Sequence, residues 1–360
     1  MDFTFVGSSD SPTFVWFSEG LRKVMESEGH RYTRHAGDAR LVVNFFPQGK
    51  PRPVRRHAQA VFVCAVTEFP VPFTDHISQG YPTLLRALAN LAVGLVPSSG
   101  ARPDVHFVTL EQGHYTVHGN DDPEDYFRQV YARIEPMALS TLVIENFFEP
   151  DLPEPLWNGD AITASIYRAG RQLNKLNLLP APFPVDEVLP ARDFRHLKRL
   201  FGIGGLSYGN VSARYDDEWF WMSASGVDKS NLKEIGQHIL MVKDYDAQRN
   251  GMVVSHPPAV QPRRVSVDAI EHWMIYREHP DVGAILHFHG WMNGIRSTEF
   301  NYPCGTRELG QAVADIVREA EDPSRCVVGL KNHGLTITGT SLDEIFERID
   351  GKVLRTVPMA

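Results

Sequence analysis

SVDAIEHWMIYREHPDVGAILHFHG, residues Ser266 to Gly290, is the stretch whose reading decides the fold. Ser266 is a suitable N-cap, and Ile270, Trp273, Met274 and Arg277 recur with a helical period until Pro280 ends the helix. Val282, Ala284, Ile285 and Leu286 then make an apolar run of strand length. Alternate side chains of a strand share a face, so His287 and His289 project together while Phe288 points the other way. Two imidazoles side by side on a rigid strand end are a ready pair of metal ligands.

A third histidine stands on similar support. His333 lies in Lys331-Asn332-His333-Gly334, a glycine-punctuated bend between the apolar run at 327–330 and the strand-like 335–338. From there it can meet the first pair. Three histidines leave positions on an ion open for water and substrate, the pattern of a catalytic site rather than a closed structural one.

Five segments in order carry a family resemblance. They are Gly209-Asn210-Val211-Ser212-Ala213-Arg214, Ser223-Ala224-Ser225-Gly226-Val227, Ser266-Val267-Asp268, Pro280-Asp281 through His287-Phe288-His289, and Gly305-Thr306-Arg307-Glu308-Leu309 with Asn332-His333-Gly334. The chain from about Asp160 onward resembles the class II aldolase/adducin family, whereas residues 1–148 resemble nothing recognised. The resemblance implies a three-layer α/β/α domain around a mainly antiparallel central sheet, with His287, His289 and His333 holding a divalent metal. It also implies that Asn210, Ser225, Gly226 and Ser266 contact the substrate's phosphate or distal end. Asp268 falls at the position of the acid/base residue, where aldolases of the family usually carry Glu and the ribulose-phosphate 4-epimerase branch carries Asp. Tyr302, offset by about one residue from the family's tyrosine, is the second candidate proton donor or acceptor. Relatives often have two serines before the acid residue; Val267 replaces one here, which leaves room for an unphosphorylated substrate. An insertion separates the Asp160 helix from the Gly-Asn segment, close to where the site should form.

Bulk properties set the frame. With 360 residues the chain is long enough for two domains, and its net charge of −8 argues against nucleic acid as the partner. Leu84 to Val96, the longest apolar helix candidate, is interrupted by Arg86 and Asn90 and falls short of a membrane span. The N-terminal residues run straight into a strand pattern without the features of a signal peptide. Cys64, Cys304 and Cys326 are scattered and cannot all pair, so a reduced, cytoplasmic protein is expected.

Residues 1–148 alternate strand and helix signals: strands at 3–6, 41–46, 60–66, 105–110 and 139–145, and helices at 13–29, 83–96 and 123–134. That alternation predicts a smaller α/β domain with a mainly parallel sheet. The Gly7-Ser8-Ser9 turn after its first strand is a candidate anion contact. Seven histidines of this half (His30, His35, His57, His76, His106, His114 and His118) read as surface or satisfied residues. The proline-rich run at 149–155 opens a stiff linker, 149–159, and the catalytic domain follows over 160–360. Asp160 caps its first helix, in which Ile162, Ile166, Ala169, Leu173 and Leu176 share a face.

The expected function is that of a metal-dependent, aldolase-type lyase on a small sugar, sugar phosphate or related hydroxy-carbonyl compound, acting through a metal-stabilised enediolate. Sugar-phosphate 4-epimerisation, decarboxylation and dehydration share that chemistry, and a non-catalytic adducin-like interaction module is the alternative of another class. Zinc is the expected metal, with manganese, cobalt or iron as options. Relatives assemble as tetramers, which implies a homo-oligomer.

Overall fold

The computed structural model describes residues 1–7, 11–54, 62–100, 102–109, 112–178, 190–192, 194–195 and 209–359. The chain forms two compact units that divide between Leu139 and Ser140. Ser8 and Ser9 of the candidate anion turn lie outside the described residues, as do most of the insertion and its basic helix.

The first unit is built on a seven-stranded sheet ordered β2-β1-β3-β4-β5-β6-β7. Its strands are β1 (Asp2–Val6), β2 (Arg31–Tyr32), β3 (Leu41–Phe45), β4 (Phe62–Glu68), β5 (Leu91–Val96), β6 (Asp104–Thr109) and β7 (His114–Val117). The first five run parallel and the last two antiparallel, and β3 and β5 are buried throughout, as apolar strands covered on both faces must be. Helices α1 (Pro12–Ser27) and α3 (Pro123–Leu139) share one apolar core with the sheet, while α2 (His76–Ala87) ends on a smaller one with Val42, Val63 and Ala65.

Three expectations need correction here. The helix expected over 83–96 is instead α2 followed by β5. Asp75 caps α2 by accepting from the amides of Ile77 and Ser78 at 2.9 and 2.7 Å. The helix ends at Leu88 with φ +50, and the Asn90 side chain takes the Val63 amide at 2.9 Å, so the apolar residues after it join the sheet. The strand expected at 139–145 is displaced to β8 (Glu145–Glu149), because α3 continues to Leu139 and the Val143 amide is bound by the Gly305 carbonyl at 2.8 Å. Third, 149–159 is no linker between units: β8 pairs in parallel with β12 of the second sheet, and Leu152 and Leu156 are buried in the second unit's core.

That second unit is a three-layer α/β/α structure. Its nine-stranded sheet is ordered β14-β15-β16-β13-β9-β10-β11-β12-β8. The strands are β9 (Gly209–Arg214), β10 (Phe220–Ser223), β11 (Ile239–Asp246), β12 (Gly251–Ser255), β13 (Ala284–Phe288), β14 (Arg296–Ser297), β15 (Val327–Leu330) and β16 (Gly334–Gly339). All pairings are antiparallel except the two at the edges, β14 with β15 and β12 with β8. Helices α4 (Ala161–Lys175) and α7 (Leu342–Ile349) cover one face; α5 (Ala269–Glu278) and α6 (Arg307–Arg318) cover the other. The cap of α4 is as expected: Asp160 accepts from the Thr163 amide at 2.8 Å, the Thr163 hydroxyl accepts from the Asp160 amide at 2.7 Å, and Ile166, Ala169 and Leu173 are buried. Among the described residues no helix is long and apolar enough to cross a membrane.

Candidate metal centre

Strand β13 lies between β9 and β16, and both neighbours reach its carboxyl end through glycine. A Cβ on Gly209, which has φ +151, would fall 2.1 Å from the His287 carbonyl oxygen. One on Gly334 would fall 2.3 Å from that of Phe288. Only glycine lets both strands close onto the histidine-bearing end at these distances. The register sets His287 opposite Asn210 and Thr336, so all three side chains share the face covered by α5.

His333 enters from the turn between β15 and β16. Asn332 takes a left-handed φ of +60, and the His333 amide bonds the Leu330 carbonyl at 2.9 Å. Ligand atoms of His287, His289 and His333 then lie within 4.8 Å of one another. The His287 and His333 rings are nearly parallel with centroids 5.2 Å apart, and His289 stands edge-on to both. His287 Nδ1 lies 2.9 Å from the Leu335 carbonyl, which only an N–H can satisfy, so Nε2 carries the lone pair. Burial drives the His287 pKa down to about 4, leaving the ring neutral near pH 7. A neutral imidazole with an oriented lone pair and a carbonyl behind it is what a metal-binding histidine needs. The residues present therefore fit a divalent cation.

Asp268 sits beside this cluster, with Oδ2 3.9 Å from His287 Nε2. Asn210 Nδ2 donates to the same oxygen at 2.7 Å, and the Gly305 amide also bonds the carboxylate. Burial pushes the Asp268 pKa up, against those two hydrogen bonds and the nearby His289 and Lys229. Ser266 was expected to cap the helix and Asp268 to sit in its first turn. In the structure α5 begins at Ala269, and Asp268, at the cap position, makes no capping bond because its carboxylate is committed to Asn210.

The remaining sequence candidates have local settings of their own. Ser225 and Gly226 form the exposed tip of the turn after β10, where Gly226 has φ +66, and the Ser225 amide is held by the Arg264 carbonyl at 2.9 Å. Ser266 is buried, its amide on the Ser223 carbonyl at 3.2 Å. Tyr302 is half-buried with its ring edge-on to Phe300. Asn210 spends its amide nitrogen on Asp268.

Sequence reasoning missed four groups. Glu271, one helical turn after Asp268, is 2% exposed; it accepts from the Thr336 hydroxyl, and Oε2 has no partner. Burial first, then Asp268, push its pKa up to about 8. His272 is fully buried against the Ser212 hydroxyl at 2.7 Å. The buried ammonium of Lys229 donates to the Ala224 carbonyl at 2.8 Å, under the Ser225-Gly226 turn, and burial lowers its pKa to about 8. Cys304 places Sγ 2.9 Å from His333 Nε2 and 3.7 Å from Nδ1. The i+3 and i+4 spacing from Asp268 could have flagged Glu271 and His272; nothing local could have flagged the other two.

The first unit holds a separate cluster. His76 Nε2 and His106 Nδ1 are 2.9 Å apart, each lies 3.0 Å from the Thr116 hydroxyl, and His114 stacks on His76 with centroids 4.0 Å apart. Reading these as satisfied histidines holds, but not as separate surface residues.

Comparison with known proteins adds the following. The family description "Class II Aldolase and Adducin N-terminal domain" matches residues 192–297, and no family matches the N-terminal region. Methylthioribulose-1-phosphate dehydratase of Klebsiella pneumoniae subsp. pneumoniae is 32% identical over 172 residues, covering 40% of this chain and 79% of that protein. The Citrobacter koseri protein of the same name is 36% identical over 172 residues and is 78% covered. The Xanthomonas campestris one is 33% identical over 88 residues, and the match spans only 35% of its length. Among solved structures, the L-fuculose-1-phosphate aldolase of Thermus thermophilus is 16% identical with a TM-score of 0.31, over 52% of this chain and 86% of that one.

Proposed function

Since the chain belongs to the class II aldolase/adducin family, we propose that it is a metal-dependent lyase eliminating water from a small sugar phosphate or related hydroxy-carbonyl compound. The observation that carries this is the convergence of His287, His289 and His333 within 4.8 Å, with the Asp268 carboxylate 3.9 Å from His287. The three imidazoles would hold the ion, zinc first and manganese, cobalt or iron otherwise, and a divalent ion there supplies Lewis-acid polarisation of the substrate carbonyl.

The chain's own groups do the rest. Asp268 as carboxylate takes the proton from the carbon next to the carbonyl. Asn210 and the Gly305 amide aim that carboxylate and favour its ionised form against the effect of burial. Burial of Asp268 and His287 excludes bulk water from the proton transfer. Tyr302 returns a proton to the departing hydroxyl, while Ser225, Gly226 and Ser266 hold the substrate's distal end. Dehydration is adopted over carbon–carbon cleavage because relatives more than 30% identical and covered over more than three quarters of their length are named dehydratases. Aldol cleavage, epimerisation and decarboxylation would use the same base and are outcomes of the assay. The retained histidine set argues against a purely structural adducin-like module. The enzyme works as a homo-oligomer, which sedimentation at a mass above the 40.5 kDa of one chain checks.

The test starts with elemental analysis of wild type beside His289→Ala. About one metal per chain, lost in the variant, is expected. Methylthioribulose 1-phosphate and a panel of aldol donors are then assayed for water loss and for cleavage. Wild type that holds no metal, even after reconstitution, sinks the proposal.

A further inference from the structure

We infer that the first unit carries a binding site of its own for a small zwitterion, an ammonium group and a carboxylate joined by an apolar body of amino-acid or dipeptide size. All its parts lie within that unit, so the inference stands apart from the metal centre and from the lyase proposal. A cavity of about 510 Å³ opens beyond the carboxyl ends of the parallel strands. The connections after β1, β3, β4 and β5 contribute Thr13, Gln48, Phe69 and Ser98 to its wall. The path of the chain creates the crevice. Helix α1, which follows β1, packs on the face of β3 that carries Leu41, Val43 and Phe45, whereas α2, which follows β4, ends against the face that carries Val42. The connections therefore part to opposite sides of the sheet and leave a gap between them, where parallel α/β sheets bind their ligands.

Two opposite charges stand on the wall. Glu68 is the last residue of β4, and the Ser11 hydroxyl donates to its Oε1 at 2.9 Å. Arg102 donates through Nη1 to the Asn120 carbonyl, and its own carbonyl accepts from the Ser98 hydroxyl at 2.6 Å. Gly119 packs so closely on that same carbonyl that a Cβ would fall 2.1 Å from its oxygen. Glu68 and Arg102 both line the cavity and are half-buried, and among the described residues neither has an ion-pair partner. Phe69, Leu95 and Val71 add an apolar surface. The Phe69 amide bonds the Leu95 carbonyl at 3.0 Å, and Gly94 leaves the Phe69 ring the space that a Cβ, 2.0 Å away, would take.

Charge selects the ligand. A carboxylate and a guanidinium left half-buried without ionic partners each favour a ligand group of opposite sign. A phosphate or simple acid would satisfy Arg102 and be repelled by Glu68, and a simple amine would meet the reverse. A molecule with both groups satisfies both walls, its ammonium on Glu68 and its carboxylate on the planar fork of Arg102. Its apolar body then covers Phe69 and Leu95. The volume falls within the roughly 300–1,000 Å³ typical of small-molecule sites, which admits a dipeptide as well as a free amino acid.

Titration calorimetry on the full chain with L-leucine, L-phenylalanine and the dipeptide Leu-Leu tests this without reference to turnover. The expected result is saturable binding of a zwitterion, with the tighter of the two sizes showing whether the site takes the amino acid or the dipeptide. Glu68→Gln, which keeps an acceptor for Ser11, and Arg102→Gln should each weaken binding by about tenfold or more, the size of a lost charge-assisted hydrogen bond. Trimming the ligand probes the same contacts with the fold untouched. The N-acetylated form of the bound probe, which has no ammonium, should bind wild type more weakly and lose nothing further in Glu68→Gln. The amidated form, which has no carboxylate, should behave likewise with Arg102→Gln. Zwitterions that fail to bind wild type at millimolar concentration, or that bind both variants as tightly as wild type, overturn the inference. Adenosine monophosphate binding in their place overturns it too, and none of these results bears on the lyase proposal.

Discussion

Replacing Glu271 with Gln should make the second unit more stable, and more so as pH rises. The carboxyl is 2% exposed, accepts one hydrogen bond from Thr336, leaves Oε2 without a partner and faces the charge of Asp268. Its pKa stands at about 8 against a usual 4.5. Below 4.5 the group is protonated in both folded and unfolded chains and adds no slope. Between 4.5 and about 8 only the folded chain keeps the proton, so unfolding releases it and stability falls with rising pH. The fall is on the order of 1 kcal/mol per pH unit, a few kcal/mol at most between pH 5.5 and 7.5. Glutamine keeps the shape and the Thr336 contact but cannot ionise, so that slope disappears. Urea unfolding in chelator, followed by tryptophan fluorescence, is the assay. Trp157, Trp219, Trp221, Trp273 and Trp291 belong to the second unit and only Trp16 to the first, so the signal follows the right core. Wild type and Glu271→Gln losing stability in parallel over this range would refute the reasoning, by showing that Glu271 is ionised and compensated in the fold.

Three further outcomes are expected. Asn210→Ala should keep its metal but lose about 10- to 150-fold in kcat/KM, the equivalent of a charge-assisted hydrogen bond worth about 1.5–3 kcal/mol, read by steady-state kinetics beside elemental analysis. Gly334→Ala should lower Tm and metal content together, because its Cβ would press on the Phe288 carbonyl, whereas Gly37→Ala, with open space around it, should change neither. His76 and His106 have pKa values pushed down to about 3 and 4, chiefly by burial, so they stay neutral in the fold while the unfolded chain takes up protons below about 6.5. The first unit should therefore lose stability as pH falls from 6.5 toward 4, and His76→Phe should make that loss shallower by circular dichroism melts.

Legibility varied with how local the information was. The period of Ile166, Ala169 and Leu173 and the Asp160 cap specify α4 within one turn or two, and the alternation of His287 and His289 about Phe288 specifies the histidine face. At 83–96 the same reasoning failed. An apolar run reads equally as buried helix or buried strand, and the choice was made by the Asn90 contact with β4, which periodicity does not contain. The proline-rich 149–159 looks like a linker by composition, but Leu152 and Leu156 are drawn into the second core.

What the sequence determined by itself was the first helix of the second unit, the histidine pair and its turn-borne third member, and an acid, Asp268, at the head of the helix before them. Each depends on residues a few positions apart, where backbone geometry dictates which side chains share a face. Only the tertiary structure decided that Cys304 stands against His333, that Glu271 lies beneath Asp268 and Thr336, and that His76, His106 and His114 meet at all. Those neighbours are brought together by strand order and register, β13 between β9 and β16 in one sheet and β6 beside β7 in the other. Spacing along a sequence carries no record of distance across a sheet.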